Sequence, residues 1–329
     1  MNTAGRSARV LVTGASGFVG HAVVAALAQG GRPVRAALRR PLPAAALPFA
    51  PAVQAVQVGE LAPTTDWHAA LHEVDSIVHC AARVHVMQDS ASDPLAEFRR
   101  VNVDGTLNLA RQAAQAGVRR FVFISSIGVN GAQTFGRPFT RDDVAAPHSP
   151  YAQAKHEAEV ALRKLALDTG LEVVIIRPPL VFGPGAPGNF SRLIRALHRR
   201  VPLPLGAVHN QRSLVSLGNL VSLIGTCLDH PAAANQTFLV SDGEDISTTA
   251  LLRGLATALG KPARLVPVPA ALLAGGARLL GQAQAVAQLC GSLQVDIAIT
   301  RSRLGWTPPL RLADALDETA RAYLRQAGP

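Results

Sequence analysis

The chain is poor in the residues that staple, stack or coordinate. It has 329 residues but only three cysteines, Cys80, Cys227 and Cys290, set far apart. Three isolated thiols form no even disulfide framework and no metal-ligand spacing, so neither a disulfide scaffold nor a metal is expected. A reducing, cytoplasmic setting is the simple expectation. Aromatic residues make up 4% of the chain, with two tyrosines and two tryptophans. Nucleic-acid surfaces interleave basic residues with aromatic ones, and here the arginines are scattered without a dense run. No nucleic-acid partner is expected despite a formal net charge of +10. Anionic small molecules suit the same balance. No long apolar run precedes the first strand, so no signal peptide is expected. The most apolar late stretch, residues 265–290, is broken by Pro267, Pro269, Gly275, Gly276 and Arg278. It makes no clean membrane-spanning segment, although a helix lying on a surface fits it. Only three of the 32 basic residues are lysines: Lys155, Lys164 and Lys261.

What is present is a regular alternation. Strand-like runs at 9–13, 33–38, 76–80, 121–125 and 172–177 alternate with helical stretches at 17–29, 67–73, 94–116 and 151–169. Short apolar strands alternating with helices predict βαβ units and a parallel sheet covered on both faces. The fold class is α/β, a Rossmann doubly wound parallel sheet with a smaller C-terminal substrate-binding lobe. Residues 1–178 are assigned to the dinucleotide-binding domain and 179–329 mainly to the lobe, with 212–242 rejoining the first domain. The strand-like 236–240 is expected to return to the main sheet.

The stretch VLVTGASGFVG, residues 10–20, runs from a buried strand into a helix. Gly14 permits the turn, Gly17 lets the backbone approach a pyrophosphate, and Gly20 lets helix pack on strand. The helix N-terminus, from Ser16 through Phe18 and Val19, offers its N–H groups to phosphate. A plain tight turn is the bland alternative. The position after a strand and before a helix favours a dinucleotide. Strand two ends Ala37-Leu38-Arg39-Arg40, without the carboxylate that holds an NAD ribose. Arg39 and Arg40 suit a 2′-phosphate, so NADP(H) is favoured and NAD(H) possible.

SPYAQAK, residues 149–155, puts Tyr151 and Lys155 at i and i+4 on one helix face. An ammonium beside a phenol favours the phenolate and draws it toward service as an acid or base. With two tyrosines and three lysines in the chain, chance placement of this pair is rare. FVFISSIGVNG, residues 121–131, ends a strand on two serines at the carboxyl edge where α/β sheets bind ligands. Ser126 could hydrogen-bond the same substrate oxygen as Tyr151.

These motifs, with HCAA (79–82) and VNVDGT (101–106), resemble the extended short-chain dehydrogenase/reductase family, of the NAD-dependent epimerase/dehydratase type. Within it, AARVHVM, SLQVD and LGWTPPL look most like the UDP-4-keto-6-deoxy-N-acetylhexosamine 4-reductases of O-antigen and capsule synthesis. The resemblance implies that Tyr151 is the acid/base, Lys155 its pKa tuner and ribose ligand, and Ser126 its partner on the substrate oxygen. It implies that Asn102 lies near the nicotinamide, that Glu60 and Leu61 line the adenine pocket, and that Ala81, Ala82 and Pro178 approach the cofactor. On the substrate side it implies Arg83, Asn189, Phe190 and Arg212, the last on a diphosphate. It departs from the epimerase pattern at strand two, at Leu180 where an Asn is usual, and in the missing late Arg and Asp. The expected function is NADP(H)-dependent reduction of the 4-keto group of a nucleotide-activated, UDP-type deoxysugar. The alternatives are a UDP-sugar C4 epimerase with tightly bound NAD, a hydroxysteroid- or flavonol-type reductase, and a cofactor-sensing regulator without catalysis. The resemblance also allows a homodimer.

Overall fold

A computed structural model describes residues 9–41, 53–84, 93–279 and 283–327. The first half runs β1 (Val10–Thr13), α1 (Phe18–Gln29), β2 (Val34–Leu38), β3 (Val53–Gln57), α2 (His68–Leu71), β4 (Ser76–His79) and α3 (Pro94–Arg99). A π-helical turn over Arg100–Gly105 leads into α4 (Thr106–Gln115), β5 (Arg120–Ile124), α5 (Pro150–Thr169) and β6 (Glu172–Arg177). The second half runs β7 (Leu180–Phe182), α6 (Gly188–His198), β8 (Arg212–Ser216), α7 (Leu217–Asp229), β9 (Thr237–Leu239), β10 (Asp245–Ile246) and α8 (Thr248–Ala258). It closes with α9 (Ala270–Leu279), α10 (Ala283–Cys290), α11 (Ala298–Leu304) and α12 (Leu312–Ala327).

Seven strands form one parallel sheet in the order β3-β2-β1-β4-β5-β6-β9. The chain changes direction across the sheet between β1 and β4, the place where open α/β sheets bind ligands. Inner strands are buried along almost their whole length because helices cover both faces, with polar residues such as Thr13, His79, Arg120 and Arg177 at the strand ends. Alternate side chains serve opposite cores. Val10, Val12, Val122 and Val174 pack toward α1 and α7, while Leu11, Phe121, Phe123 and Val173 pack toward α2, α4 and α5. A third core, from Phe182 and Phe190 through Leu252, Leu255 and Leu316, belongs to the second half.

Three local expectations change. The edge strand β3 has no counterpart in the sequence reading, because of its side chains only Val53 is buried and the pattern VQAVQ carries little apolar signal. The helix expected over 94–116 is interrupted by the π-turn at Arg100–Gly105. Within 212–242 the chain divides. β9 joins the main sheet beside β6, whereas β8 pairs with β7 and β10 in a separate three-stranded sheet. Among the described residues no helix is long and apolar enough to cross a membrane.

Candidate active site

The glycine turn is built as tightly as its spacing requires. Gly14 has a φ of +64°, and a Cβ there would sit 2.7 Å from the Ala81 backbone nitrogen. A Cβ on Gly20 would lie 2.2 Å from the Gly14 carbonyl oxygen. Both positions exclude any larger residue. Gly17 differs: a Cβ would meet only the Gly14 oxygen, at 3.2 Å, and is otherwise in open space. Its N–H closes the turn by donating to Gly14 O at 2.9 Å. Gly17 then caps α1 with extended backbone and no side-chain partner. The N–H groups of the first turn, Phe18 to Gly20, precede any helical acceptor and face outward with the positive end of the helix dipole. A bare cradle with open space above Gly17 fits a dinucleotide pyrophosphate. Arg39 and Arg40 follow β2 as exposed side chains, and no described residue pairs with either. Glu60 and Leu61 follow β3, with Leu61 packed so closely on Gly105 that a Cβ there would lie 2.9 Å from Leu61 Cγ.

β4 leads to Cys80, Ala81 and Ala82 beside Gly14. Its last residue, His79, is fully buried and stacks on Phe123 with ring centroids 5.9 Å apart. Its ring nitrogens pair with Thr13 Oγ1 at 2.8 Å and Thr106 Oγ1 at 3.0 Å. Thr13 Oγ1 in turn accepts from Ala81 N at 3.2 Å. Burial, with help from the nearby Lys155 charge, pushes the imidazole down to about 3. It is therefore a neutral bridge that ties β1, β4 and α4 behind the turn. Because the unfolded chain binds this proton near pH 6.5 and the folded one does not, stability from His79 is present above that value and is lost as pH falls toward 3. At pH 5 the loss is about 2 kcal/mol. Urea unfolding at pH 7.5 and pH 5 is expected to show it, and His79→Gln should flatten the pH slope by that amount. An identical slope in the variant would refute the bridge.

Asn102 sits in the π-turn and is buried. Its side chain accepts from Arg83 N at 2.8 Å and donates to Arg83 O at 3.0 Å. The amide is thus spent on the backbone of the loop after β4, which places Asn102 as a clamp on that loop. π-turns recur at functional sites, and this one aims the clamp. The Arg83 guanidinium lies over the face of Phe98, 5.7 Å from its centroid, and Phe98 meets Tyr151 edge-on at 6.1 Å.

Ser149 caps α5 by accepting from Ala152 N, and Pro150 starts the helix. This puts Tyr151 in its first turn and Lys155 one turn on. Lys155 is 2% exposed, donates to Ile124 O at 2.8 Å and lies 4.4 Å over the Phe123 ring. That bond pins α5 to the end of β5, two residues before Ser126. Burial pushes the Lys155 ammonium down to about 8 and the Tyr151 phenol up to about 12. The expected lowering of the phenol by Lys155 is not seen, because the ammonium is directed to Ile124 O and burial outweighs a charge 5.9 Å from the Tyr151 ring.

The two serines of FISS part company. Ser125 donates to Glu159 Oε1 at 2.6 Å and is buried. Ser126 is half-buried, with its Oγ accepting from Gly128 N at 3.1 Å. Glu159 is the residue that the sequence reading missed. It has no exposed side-chain surface, and both its oxygens receive the Arg177 guanidinium at 2.5–2.9 Å. Arg177 also donates to Asn130 Oδ1 at 2.9 Å. The signal was available: Tyr151, Lys155 and Glu159 form one stripe at i, i+4 and i+8. Phe98 and His79 carried no such signal. Pro178 follows Arg177, and its carbonyl accepts from Ile127 N at 2.9 Å.

Two residues assigned to the substrate are otherwise engaged. The Phe190 ring is 2% exposed and stacks on Phe182 at 5.6 Å, inside the third core. It is not free to stack on a base, although Asn189 beside it is exposed. Arg212 donates from one terminal nitrogen to Gln288 O at 2.6 Å and Gly291 O at 3.0 Å. Burial lowers its pKa, and no carboxylate among the described residues pairs with it.

A glycine cradle opposite a Tyr–Lys helix and a strand-end serine is an oxidoreductase arrangement, and sequence comparison agrees. Residues 10–241 match the NAD dependent epimerase/dehydratase family.

The chain belongs to this family.

It is an enzyme of the extended short-chain dehydrogenase/reductase type with the Rossmann α/β fold. It is 46% identical over 320 residues to a UDP-glucose 4-epimerase of Vibrio cholerae, covering 96% of this chain and 95% of that one. It is 28% identical over 280 residues to the N-acetyl-alpha-D-glucosaminyl-diphospho-ditrans,octacis-undecaprenol 4-epimerase of Escherichia coli O157:H7, covering 80% and 82%. Among solved structures it resembles MoeE5 in complex with UDP-glucose and NAD, with a TM-score of 0.78, 26% identity, and 97% and 100% coverage.

Proposed function

We propose that the chain is a UDP-sugar C4 epimerase that retains its NAD, in place of the NADP(H)-dependent 4-keto reductase expected from the short motifs. The observation that carries this is the convergence of the Tyr151–Lys155 face of α5 on the end of β5, in a chain 46% identical to a UDP-glucose 4-epimerase. Epimerisation needs a group that takes the proton from the C4 hydroxyl and gives it back to the resulting carbonyl oxygen. Tyr151 does both. Ser126, the strand-end hydroxyl not committed to Glu159, hydrogen-bonds the same oxygen and steadies its charge. Lys155, one helical turn beyond the phenol, places its positive charge where it stabilises the phenolate that forms. The nicotinamide, when bound, supplies the acceptance and return of the C4 hydride. Gly14, Ser16, Gly17 and the first turn of α1 hold the pyrophosphate, and Glu60 and Leu61 border the adenine. Asn102 fixes Arg83, Ala82 and Ala81 beside it. Arg212, half-buried without a carboxylate, offers its remaining donors to the sugar-nucleotide diphosphate, and Asn189, exposed at the start of α6, serves the same ligand. Val160 and Leu167, exposed on α5, support a second copy of the chain against that helix.

The test is cofactor retention together with interconversion. Protein purified and dialysed is expected to release NAD only on denaturation. It should equilibrate UDP-glucose with its C4 epimer without added dinucleotide. One observation favours the reductase: the exposed Arg39 and Arg40, with no acid at the end of β2. Stoichiometric oxidation of NADPH by a UDP-4-keto-6-deoxy sugar, with no dinucleotide retained, would decide for it.

A further inference from the structure

Two long segments of this chain, residues 173–228 and 246–295, contain no aspartate or glutamate. They carry ten lysines and arginines: Arg177, Arg192, Arg195, Arg199, Arg200, Arg212, Arg253, Lys261, Arg264 and Arg278. Removing these ten from the 32 basic residues leaves 22, which the 22 acidic residues balance. The whole formal charge of +10 therefore falls on these two segments. Nine of the ten lie between α6 and α9, on or beside the elements around the third core, whereas Arg177 ends β6 in the main sheet and is neutralised by Glu159. These nine, scattered along the sequence, are gathered on one part of the molecule.

The charge is interleaved with exposed aliphatic side chains at one place. Arg199 and Arg200 end α6, and both are exposed. The chain that follows runs beside residues 264–269. Leu203 N donates to Arg264 O at 2.9 Å, and Val266 N donates to Leu203 O at 2.8 Å. Along these paired segments Val201 is 44% and Val266 48% exposed, and Leu272, at the start of α9, is 67% exposed. Arg264 is exposed between them. No described carboxylate pairs with Arg199, Arg200 or Arg264, so their charge is presented outward.

We propose that this face of the lobe docks on an anionic lipid bilayer. The protein would rest on the surface without crossing it, with Arg199, Arg200 and Arg264 on headgroup phosphates and Val201, Val266 and Leu272 at the acyl boundary. Nucleic acid is the other polyanion that such charge could meet. It stacks bases on aromatic rings, and the only aromatic residues in the two segments, Phe182 and Phe190, are buried against each other. Exposed valine and leucine among the arginines gain nothing on a sugar-phosphate backbone and are suited to a lipid interface. The proposal goes beyond the epimerase reading and does not depend on it.

Sedimentation with vesicles tests it. The full chain is expected to pellet with phosphatidylcholine vesicles containing phosphatidylglycerol at low salt, and to be released by high salt or by omitting the anionic lipid. Each basic residue at such a surface contributes roughly five-fold in partition, so Arg199→Gln, Arg200→Gln and Arg264→Gln together should weaken binding about 100-fold. Turnover of a soluble UDP-sugar should be unchanged, which also shows that the variant folds. Val266→Ser with Leu272→Ser should weaken vesicle binding and leave the salt dependence in place. Failure of the wild-type chain to pellet with anionic vesicles would overturn the proposal. So would undiminished binding by the triple variant, or retention on duplex DNA without retention on vesicles.

Discussion

Tyr151→Phe is expected to abolish most turnover while leaving the fold and the bound dinucleotide intact. The ring of Tyr151 packs edge-on against Phe98, and phenylalanine keeps that contact. The cradle at Gly14–Gly20 does not involve the hydroxyl. On the proposed mechanism, what is lost is the group that moves the C4 proton in both directions. General acid–base groups contribute about 10²–10⁴-fold, and kcat should fall within that range. The hydroxyl is a poor base unaided, since burial holds it up near 12. Its service depends on the positive charge of Lys155 one turn away and on the hydroxyl of Ser126. Ser126→Ala should therefore cost less than Tyr151→Phe, and both should leave NAD in the purified protein. Near-normal kcat in Tyr151→Phe would remove Tyr151 from the chemistry.

Glu159→Gln is expected to cost about 3–5 kcal/mol of stability, read by urea unfolding. The carboxylate is fully buried, and it answers Arg177, itself only 5% exposed. Neutralising it removes the counter-charge and one of the two oxygens that receive the guanidinium, leaving Arg177 with neutral amide oxygens only, one of them from Asn130. A buried guanidinium without a counter-charge is among the more expensive defects in a protein interior. The same change loosens Ser125, which donates to Glu159, and so moves the loop that begins at Ser126. Activity should fall along with stability. The paired change Glu159→Leu with Arg177→Met, which removes both charges, should recover much of the lost stability. A loss below about 1 kcal/mol in Glu159→Gln would show that Arg177 finds another partner.

Much of the architecture is legible in the sequence. Helix and strand periods are local, so the alternation that makes the parallel sheet could be read from residues 9–177 without knowing what packs on what. The edge strand β3 escaped because an edge needs little apolar surface to hold it. The π-turn escaped because its cause is a contact: Asn102 reaching Arg83, nineteen positions earlier. In the site, Gly14, Gly17 and Gly20 were readable because the positive φ at Gly14 and the packing of Gly20 on the Gly14 carbonyl are local demands of one turn. Tyr151 and Lys155 were readable because i, i+4 is one helix face. Phe190 and Arg212 were assigned to the ligand, and the structure commits the Phe190 ring to Phe182 and part of Arg212 to the carbonyls of Gln288 and Gly291.

By itself, then, the sequence determined the doubly wound sheet, the tight glycine turn that opens α1 and the shared helix face of Tyr151 and Lys155, all of them patterns written within one or two turns of chain. Only the tertiary structure decided which of two adjacent serines is available, that His79 is a neutral bridge, and that Glu159 is buried against Arg177. It alone gathered the basic residues from α6 to α9 around the third core. The physical reason is range. A hydrogen bond or ion pair between residues tens of positions apart is chosen by the packing of the sheet and its helices, and no short stretch of sequence carries the identity of both partners.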